Sequence, residues 1–233
     1  MLHIYRLNQM KRWRQQELEF PTRGGKRRKA GRKRAPGRGH VPHRARPEHK
    51  RAHPVHVTLR AARRLPSLRK QVVFAAVRRA IGRTARSWFR IVQFSVQSNH
   101  VHLLVEADDK VSLARGLMGA AIRIALAMNR VAGRRGRVWE DRYHSRPLRT
   151  PREVRHGIVY VLMNWKKHLP GVRGFDPCSS AMSFTGWSPH PSSGPPDDQV
   201  ESPATWLMRT GWKRHGLIAS SERPNGSLGF EED

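Results

Sequence analysis

The sequence SNHVHLLVE, residues 98–106, places two histidines two residues apart in an otherwise apolar stretch. Side chains alternate between the two faces of a β-strand, so His100 and His102 are expected to point the same way. Two imidazoles on one face of a strand are a natural pair of metal ligands. Such a pair can also arise by chance in a chain with 13 histidines, and both would then be incidental polar residues on an exposed face.

A tyrosine and an asparagine lie four residues apart near the end of the last predicted helix, Arg152 to His168. At about 100° per residue, Tyr160 and Asn164 fall on one polar stripe of this helix. A tyrosine hydroxyl beside an amide oxygen can serve as a nucleophile next to a metal ligand. The alternative is an ordinary amphipathic helix with a half-exposed tyrosine. The polar stripe consists of His156, Tyr160, Asn164 and Lys167, and the opposite face, expected in the core, of Val154, Ile158, Val161, Leu162 and Trp165.

Other residues of the chain offer weaker candidates for the same chemistry. Tyr5 lies outside the predicted domain, and Tyr143 stands at the start of a predicted strand, where it is expected to be structural. The stretch His56-Val57-Thr58 has the form of one half of a paired His-x-Thr phosphoesterase site. That chemistry needs a second His-x-Thr or His-x-Ser, and the sequence has none suitably placed.

The predicted elements place these residues on a sheet with helices. Alternating apolar residues predict strands at 53–61, 89–97 and 100–107, with a short strand at 143–149. Helical spacing predicts helices at 65–88, 111–132 and 151–168, the last stopped by Pro170-Gly171. The order begins with the ferredoxin-like split β-α-β pattern. The predicted fold is therefore α+β with an antiparallel sheet, in one domain over residues 53–170.

The chain of 233 residues is strongly basic, with 46 Lys+Arg against 17 Asp+Glu and a formal net charge of +29. A composition bias toward arginine explains why arginine exceeds lysine, but not why basic residues exceed acidic ones so heavily. A chain this basic repels itself unless polyanions are near. Nucleic acid is therefore the expected partner.

Residues 1–52 are predicted to be a basic, largely disordered arm. Its part 21–52 contains Gly, Pro, Arg and Lys with almost nothing apolar, so it cannot form a core. We expect the arm to attract phosphates without reading a sequence; the alternative is a solvated tail with no specific contact. The residues predicted to contact DNA are Arg27, Arg28, Arg32, Lys33 and Arg34.

Residues 171–233 are predicted to be a Pro/Ser/Gly-rich linker as far as residue 204, followed by a short C-terminal helix at 205–217. Trp206 and Trp212 of that helix are expected to be packing anchors. The single cysteine, Cys178, argues against a disulfide framework and a cysteine-based zinc site. No apolar run of membrane-spanning length and no signal-peptide core are evident, so a soluble protein of the bacterial cytoplasm, associated with the nucleoid, is expected.

The motifs SNHVHLLVE, WEDRYHSRPLRT and YVLMN resemble those of the HUH single-tyrosine transposases, in particular the REP-associated tyrosine transposases, relatives of the insertion-sequence-200 type. The resemblance covers about residues 53–170. It implies a ferredoxin-like fold with His100 and His102 on a central strand as ligands of a divalent ion, normally Mg²⁺ or Mn²⁺. It also implies Tyr160 as nucleophile and Asn164 as a third ligand. One departure is Trp165, which stands where many REP-associated members have proline.

A protein of this family is expected to nick and rejoin single-stranded or hairpin DNA through a 5′-phosphotyrosine, as a monomer or a homodimer. The alternative is a non-catalytic DNA- or RNA-binding protein derived from a transposase, which the charge alone would suit. That alternative leaves the set His100, His102, Tyr160 and Asn164 unexplained.

Overall fold

A four-stranded antiparallel sheet forms the centre of the computed structural model, which describes residues 46–167, 173–189 and 197–224. The order across the sheet is β2-β3-β1-β4, which is the ferredoxin-like arrangement. The predicted α+β fold with an antiparallel sheet is therefore confirmed. In chain order the elements are β1 (Val55–Arg60), α1 (Gln71–Gly82), β2 (Phe89–Val96), β3 (His100–Ala107), α2 (Lys110–Val131), β4 (His144–Pro147) and α3 (Pro151–Met163).

One face of the sheet is apolar and packs against α1 and α2. Alternate residues of the strands supply this face, because side chains of a strand alternate sides. Helix α1 is shorter than the predicted 65–88, since the backbone before it bonds elsewhere: the Leu68 amide donates to the Ser98 carbonyl. The residues of β1 and β3 on this face, each at most 2 % exposed, are Val55, Val57, Leu59, Val101, Leu103 and Val105.

Helix α2 is apolar on two sides. By length and composition alone it is apolar enough to cross a membrane, which departs from the expectation that no such run exists. In the structure its inner side is part of the core through Leu117 and Ile124, both fully buried. One side of helix α2 is therefore part of the core. Its outer side carries the exposed apolar residues Val111, Met118, Ile122 and Leu126.

Helix α3 begins where the sequence predicts and ends earlier. Thr150 and Glu153 form a capping box, and Pro151 occupies the first turn, where its missing N–H costs nothing. The α-helix ends at Met163 rather than His168, and Asn164–Lys167 continue as a 3-10 turn. A Cβ at Gly157 would lie 2.8 Å from Cδ1 of Leu148, so glycine allows α3 to lie close to the chain that follows β4.

The chain after α3, which we call the C-terminal segment (173–189 and 197–224), packs against α3. This differs from the linker prediction for 172–204, because Phe184 and Trp187 bury large apolar side chains among the Pro, Ser and Gly residues. Trp212 is buried, as a packing anchor should be, whereas Trp206 is 49 % exposed. The elements of this segment are 3-10 turns at Ser180–Ser183 and Gly211–His215, α4 (Trp206–Arg209), and the paired strands β5 (Trp187–Ser188) and β6 (Ile218–Ala219).

The end of the predicted arm is part of the folded structure. The Arg46 guanidinium lies 3.9 Å from the centre of the Tyr143 ring, and Arg51 forms a 3.0 Å ion pair with Asp108. Residues 46–52 thus differ from the disorder predicted for 1–52. The predicted DNA contacts Arg27, Arg28, Arg32, Lys33 and Arg34 lie outside the described residues.

Candidate active site

Side chains of β1 and β3 form a polar row on the face of the sheet that α3 covers. Thr58 of β1 pairs directly with His102 of β3 in the antiparallel ladder, and Arg60 pairs with His100. His56 lies two residues before Thr58 and therefore on the same face. Both histidines of the motif thus lie on a central strand, and β1 brings a further histidine and a threonine beside them.

His102 connects strand β1 to the end of α3 through its two ring nitrogens. Its Nδ1 lies 3.1 Å from Oγ1 of Thr58 and 3.2 Å from Nε2 of His56. Its Nε2 lies 3.2 Å from Nδ2 of Asn164. The side chain is 2 % exposed, so these protein groups, rather than bulk water, set the state of the imidazole.

Tyr160 of α3 lies against two of these imidazoles. Its ring centre is 5.2 Å from that of His102 and 5.4 Å from that of His56, and both contacts are edge-to-face. The ammonium group of Lys167 lies 4.6 Å from the centre of the Tyr160 ring. The predicted nucleophile and the predicted ligand His102 are therefore neighbours in space, although they are 58 positions apart in the sequence.

His100 lies at the more open edge of the site. Its ring centre is 4.6 Å from that of His102, and its Nδ1 lies 2.7 Å from Oδ1 of Asn99. A neutral imidazole held at Nδ1 by a hydrogen-bond partner can bind a metal ion through Nε2.

Burial keeps the deeper imidazoles uncharged. It lowers the pKa of His56 to about 3, and the positive charges of Arg146 and His100 act in the same direction. The pKa of His102 lies well below its ordinary value, first because of burial and then because of His100, His56 and Lys167. Both rings are therefore neutral near pH 7, which suits metal binding and disfavours a role as a charged phosphate contact.

Asn164 offers a buried oxygen that could bind a cation. It is fully buried, and its Oδ1 has no hydrogen-bond partner among the described residues. A buried acceptor without a partner is costly. The described residues contain no group of three His, Cys, Asp or Glu side chains able to hold an ion, so a metal site here would have to include another kind of ligand, such as this amide oxygen. Imidazole nitrogens with an amide oxygen fit a divalent ion such as Mn²⁺.

The C-terminal segment holds α3 in place from its outer side. Arg155 of α3 donates two hydrogen bonds, of 2.7 and 2.9 Å, to the Glu222 carboxylate and one of 3.0 Å to the Gly216 carbonyl. The buried Lys166 ammonium donates to the Ser220 carbonyl. Of the predicted polar stripe, Tyr160, Asn164 and Lys167 belong to the site, whereas His156 is exposed. The position of α3 over the site thus depends on its contacts with the sheet on one side and with the C-terminal segment on the other.

Two residues of the site, His56 and Thr58, have no site role in the sequence reading, which considers them only as half of a phosphoesterase. Alternation in β1 is the signal that could have found them, because it puts both opposite the apolar Val55, Val57 and Leu59. Their distance from His102 is decided by strand register, which no local pattern contains. Tyr143, in contrast, packs against the core on the α1 and α2 side.

Comparisons with known proteins agree with the motif resemblance. Residues 49–154, a little under half of the chain, match the family described as "Transposase IS200 like", and this confirms the predicted resemblance. The matched range includes His100 and His102 and ends before Tyr160 and Asn164. A solved structure described as "Structure of the REP associates tyrosine transposase bound to a REP hairpin" aligns with 55 % of this chain and 75 % of that chain, at 21 % identity and a TM-score of 0.45. No curated protein matches the chain.

Proposed function

We propose that this chain, similar over residues 49–154 to IS200-like transposases, is a metal-dependent DNA strand transferase with Tyr160 as its nucleophile. The observation that carries the proposal is the meeting of three groups on the polar face of the sheet. The ring centres of Tyr160 and His102 are 5.2 Å apart, and Asn164 lies 3.2 Å from His102. Transposases act on DNA, so the target of this nucleophile is a phosphodiester.

The reaction exchanges one phosphate ester for another. A divalent ion, Mg²⁺ or Mn²⁺, held by His100, His102 and Asn164 would supply Lewis-acid polarisation of the anionic phosphate. The Tyr160 hydroxyl oxygen forms a bond to phosphorus and gives up its proton, while the bond from phosphorus to the 3′ oxygen breaks. The departing 3′ oxygen takes up a proton and becomes a free 3′-OH. The 5′ end remains attached as a 5′-phosphotyrosine.

The phosphotyrosine conserves the ester bond, so that a second 3′-OH can reverse the step and join a new strand. The protein assists by limiting the access of water, which would discard that bond by hydrolysis. Tyr160 is only 4 % exposed, and α3 is covered on its outer side by the C-terminal segment. A site that kept this low exposure to water with DNA bound would favour strand transfer over hydrolysis.

Single-stranded or hairpin DNA is the proposed substrate, because only an unpaired backbone can bend into such a site. The net charge of +29 would hold it through its phosphates. Arg27, Arg28, Arg32, Lys33 and Arg34 of the arm are proposed to contribute. Removal of residues 1–45 should then flatten the dependence of log affinity on log salt, and an unchanged slope would mean that the arm does not touch DNA.

The test is an adduct assay with the full chain. Wild-type protein is incubated with end-labelled single-stranded hairpin DNA and Mn²⁺, and the products are separated under denaturing conditions. We expect a labelled protein–DNA adduct and a free 3′-OH product. Tyr160→Phe removes the attacking oxygen and should abolish both, whereas Tyr143→Phe is the matched control and should keep both.

Two outcomes would contradict the proposal in different ways. Absence of any adduct or cut with the wild type over a set of hairpins would favour a non-catalytic binder of DNA or RNA derived from a transposase. Cutting without an adduct by Tyr160→Phe would mean that water is the nucleophile and the chain is a hydrolytic nuclease.

A further inference from the structure

The polar groups behind His102, on the side away from Asn164, have no part in the proposed reaction. They are the Thr58 hydroxyl and the His56 imidazole, at 3.1 and 3.2 Å from His102 Nδ1. His56 is fully buried, and its ring lies nearly parallel to that of His102 with centres 5.3 Å apart. A fully buried histidine and a half-buried threonine placed around one ring nitrogen require a physical reason.

The proposed metal ligation decides which nitrogen of His102 has to carry the proton. A metal ion would bind the lone pair of Nε2, the nitrogen that lies 3.2 Å from the Asn164 amide. A neutral imidazole has one donor and one acceptor nitrogen, so Nδ1 of His102 would then carry the proton. Both Thr58 Oγ1 and His56 Nε2 lie where they can accept it.

Strand geometry makes this arrangement rigid. Thr58 and His102 are direct partners in the ladder between β1 and β3, so their separation is set by the backbone. Threonine is also restricted at χ1, which limits where its hydroxyl can go. The stacked His56 ring prevents His102 from turning about its χ2 angle without losing contact. The same two residues thus hold the His102 ring in place and provide acceptors for a proton on its Nδ1.

We propose that Thr58 and His56 are positioning residues that hold His102 with its proton on Nδ1 and its Nε2 lone pair directed toward Asn164 and Tyr160. This inference rests on the proposed function, in which Nε2 is the metal ligand. Residues that orient a ligating histidine through its second nitrogen typically change metal affinity by roughly tenfold to a hundredfold when removed. The His56-Val57-Thr58 motif of β1 thereby has a positioning role and does not require a second His-x-Thr motif.

The alternative is that Thr58 and His56 only provide hydrogen-bond partners for a buried imidazole and do not favour one tautomer of His102. The two possibilities can be distinguished by measuring the tautomer. Without both acceptors, a proton on Nδ1 would be buried and unpaired. The imidazole would then move its proton to Nε2, and the Asn164 amide would rotate so that Oδ1 accepts it. The tautomer therefore reports on positioning and is independent of any metal or DNA.

The experiment measures the His102 tautomer by ¹⁵N NMR of the metal-free full chain, with the signal assigned through His102→Gln. We expect the proton on Nδ1 in the wild type and in Thr58→Ser. We expect a major Nε2–H signal in the double variant Thr58→Val with His56→Phe. Mn²⁺ affinity, measured by electron paramagnetic resonance, should fall roughly tenfold to a hundredfold in the double variant and stay near wild type in Thr58→Ser.

A wild-type proton on Nε2, or a double variant that keeps the Nδ1 proton and wild-type Mn²⁺ affinity, would overturn the proposal. If the double variant does not fold, the Mn²⁺ affinities of the single variants Thr58→Val and Thr58→Ser are compared instead. Thr58→Val should then lower Mn²⁺ affinity several-fold and Thr58→Ser should not, with the reverse or no difference counting against the inference. Failure to form a DNA adduct would instead contradict the proposed function, and the tautomer result would stand.

Discussion

The two faces of the central sheet are built from the same strands and differ in almost every property. The face toward α1 and α2 is mainly apolar, whereas the face toward α3 carries His56, Thr58, His100 and His102. Each strand contributes to both, because successive side chains point to opposite sides. Leu103 is fully buried in one core, and its neighbour His102 is nearly fully buried in the other.

This difference shows how a small domain can bury polar groups without losing its core. The apolar face supplies hydrophobic stabilisation through tight packing. The polar face costs free energy unless each buried group has a partner, and it is accordingly the face with hydrogen bonds between side chains of different strands and helices. Successive residues of one strand thus contribute alternately to the stabilising apolar face and to the polar face that carries the proposed site.

The cover of the polar face consists of two layers. Helix α3 lies on this face, and the C-terminal segment lies on α3 through residues such as Trp187 and Trp212. Glu106 of β3 fastens this segment, because its carboxylate accepts from the Ala204 amide, at 2.7 Å, and from the amide and hydroxyl of Thr205, at 2.9 and 2.6 Å. The comparison of the two faces is therefore testable at three positions of β3: His102, Leu103 and Glu106.

The largest expected effect is that of His102→Ala on adduct formation. Loss of this proposed metal ligand should reduce the rate of adduct formation by on the order of a thousandfold or more. DNA affinity should change little, because the basic surface supplies it. The measurement is single-turnover adduct formation beside a DNA-binding titration. If His102→Ala still cut DNA, or if the wild type stayed fully active in excess chelator, the metal-dependent reaction could not be assigned to the polar face.

Leu103→Ala, one position away, should act on stability alone. Leu103 is fully buried, and truncation of such a residue typically costs roughly 2–5 kcal/mol of the free energy of unfolding. Urea denaturation measures this loss. Adduct formation per folded molecule should remain close to wild type. A loss of adduct as large as that of His102→Ala would show that the two faces are not functionally separate.

Glu106→Gln should have the smallest of the three effects and a local one. The amide keeps the shape but replaces an accepting oxygen by a donor opposite the donors of Ala204 and Thr205, at a cost of roughly 1–3 kcal/mol. Hydrogen exchange of the amides of 205–213 should accelerate, while those of β1 stay protected. Uniform acceleration over the whole sheet would mean that the C-terminal segment is not a separate cover.

The fold was predictable because its signals are local. Alternation in β1, β2 and β3 and the capping residues Thr150 and Glu153 each specify an element within a few positions. The C-terminal segment was less predictable, since Phe184 and Trp187 carry no periodicity and are surrounded by Pro, Ser and Gly. Their burial depends on the apolar outer side of α3, which is far away in the sequence.

The sequence by itself determined which residues can do chemistry: two histidines on one face of a strand, and a tyrosine and an asparagine one helical turn apart. It also determined the basic charge and the order of the elements. Only the tertiary structure decided that His102 meets Asn164 at one nitrogen and Thr58 and His56 at the other. The physical reason is that strand register and helix docking are set by packing of the whole core, which no short stretch of sequence contains.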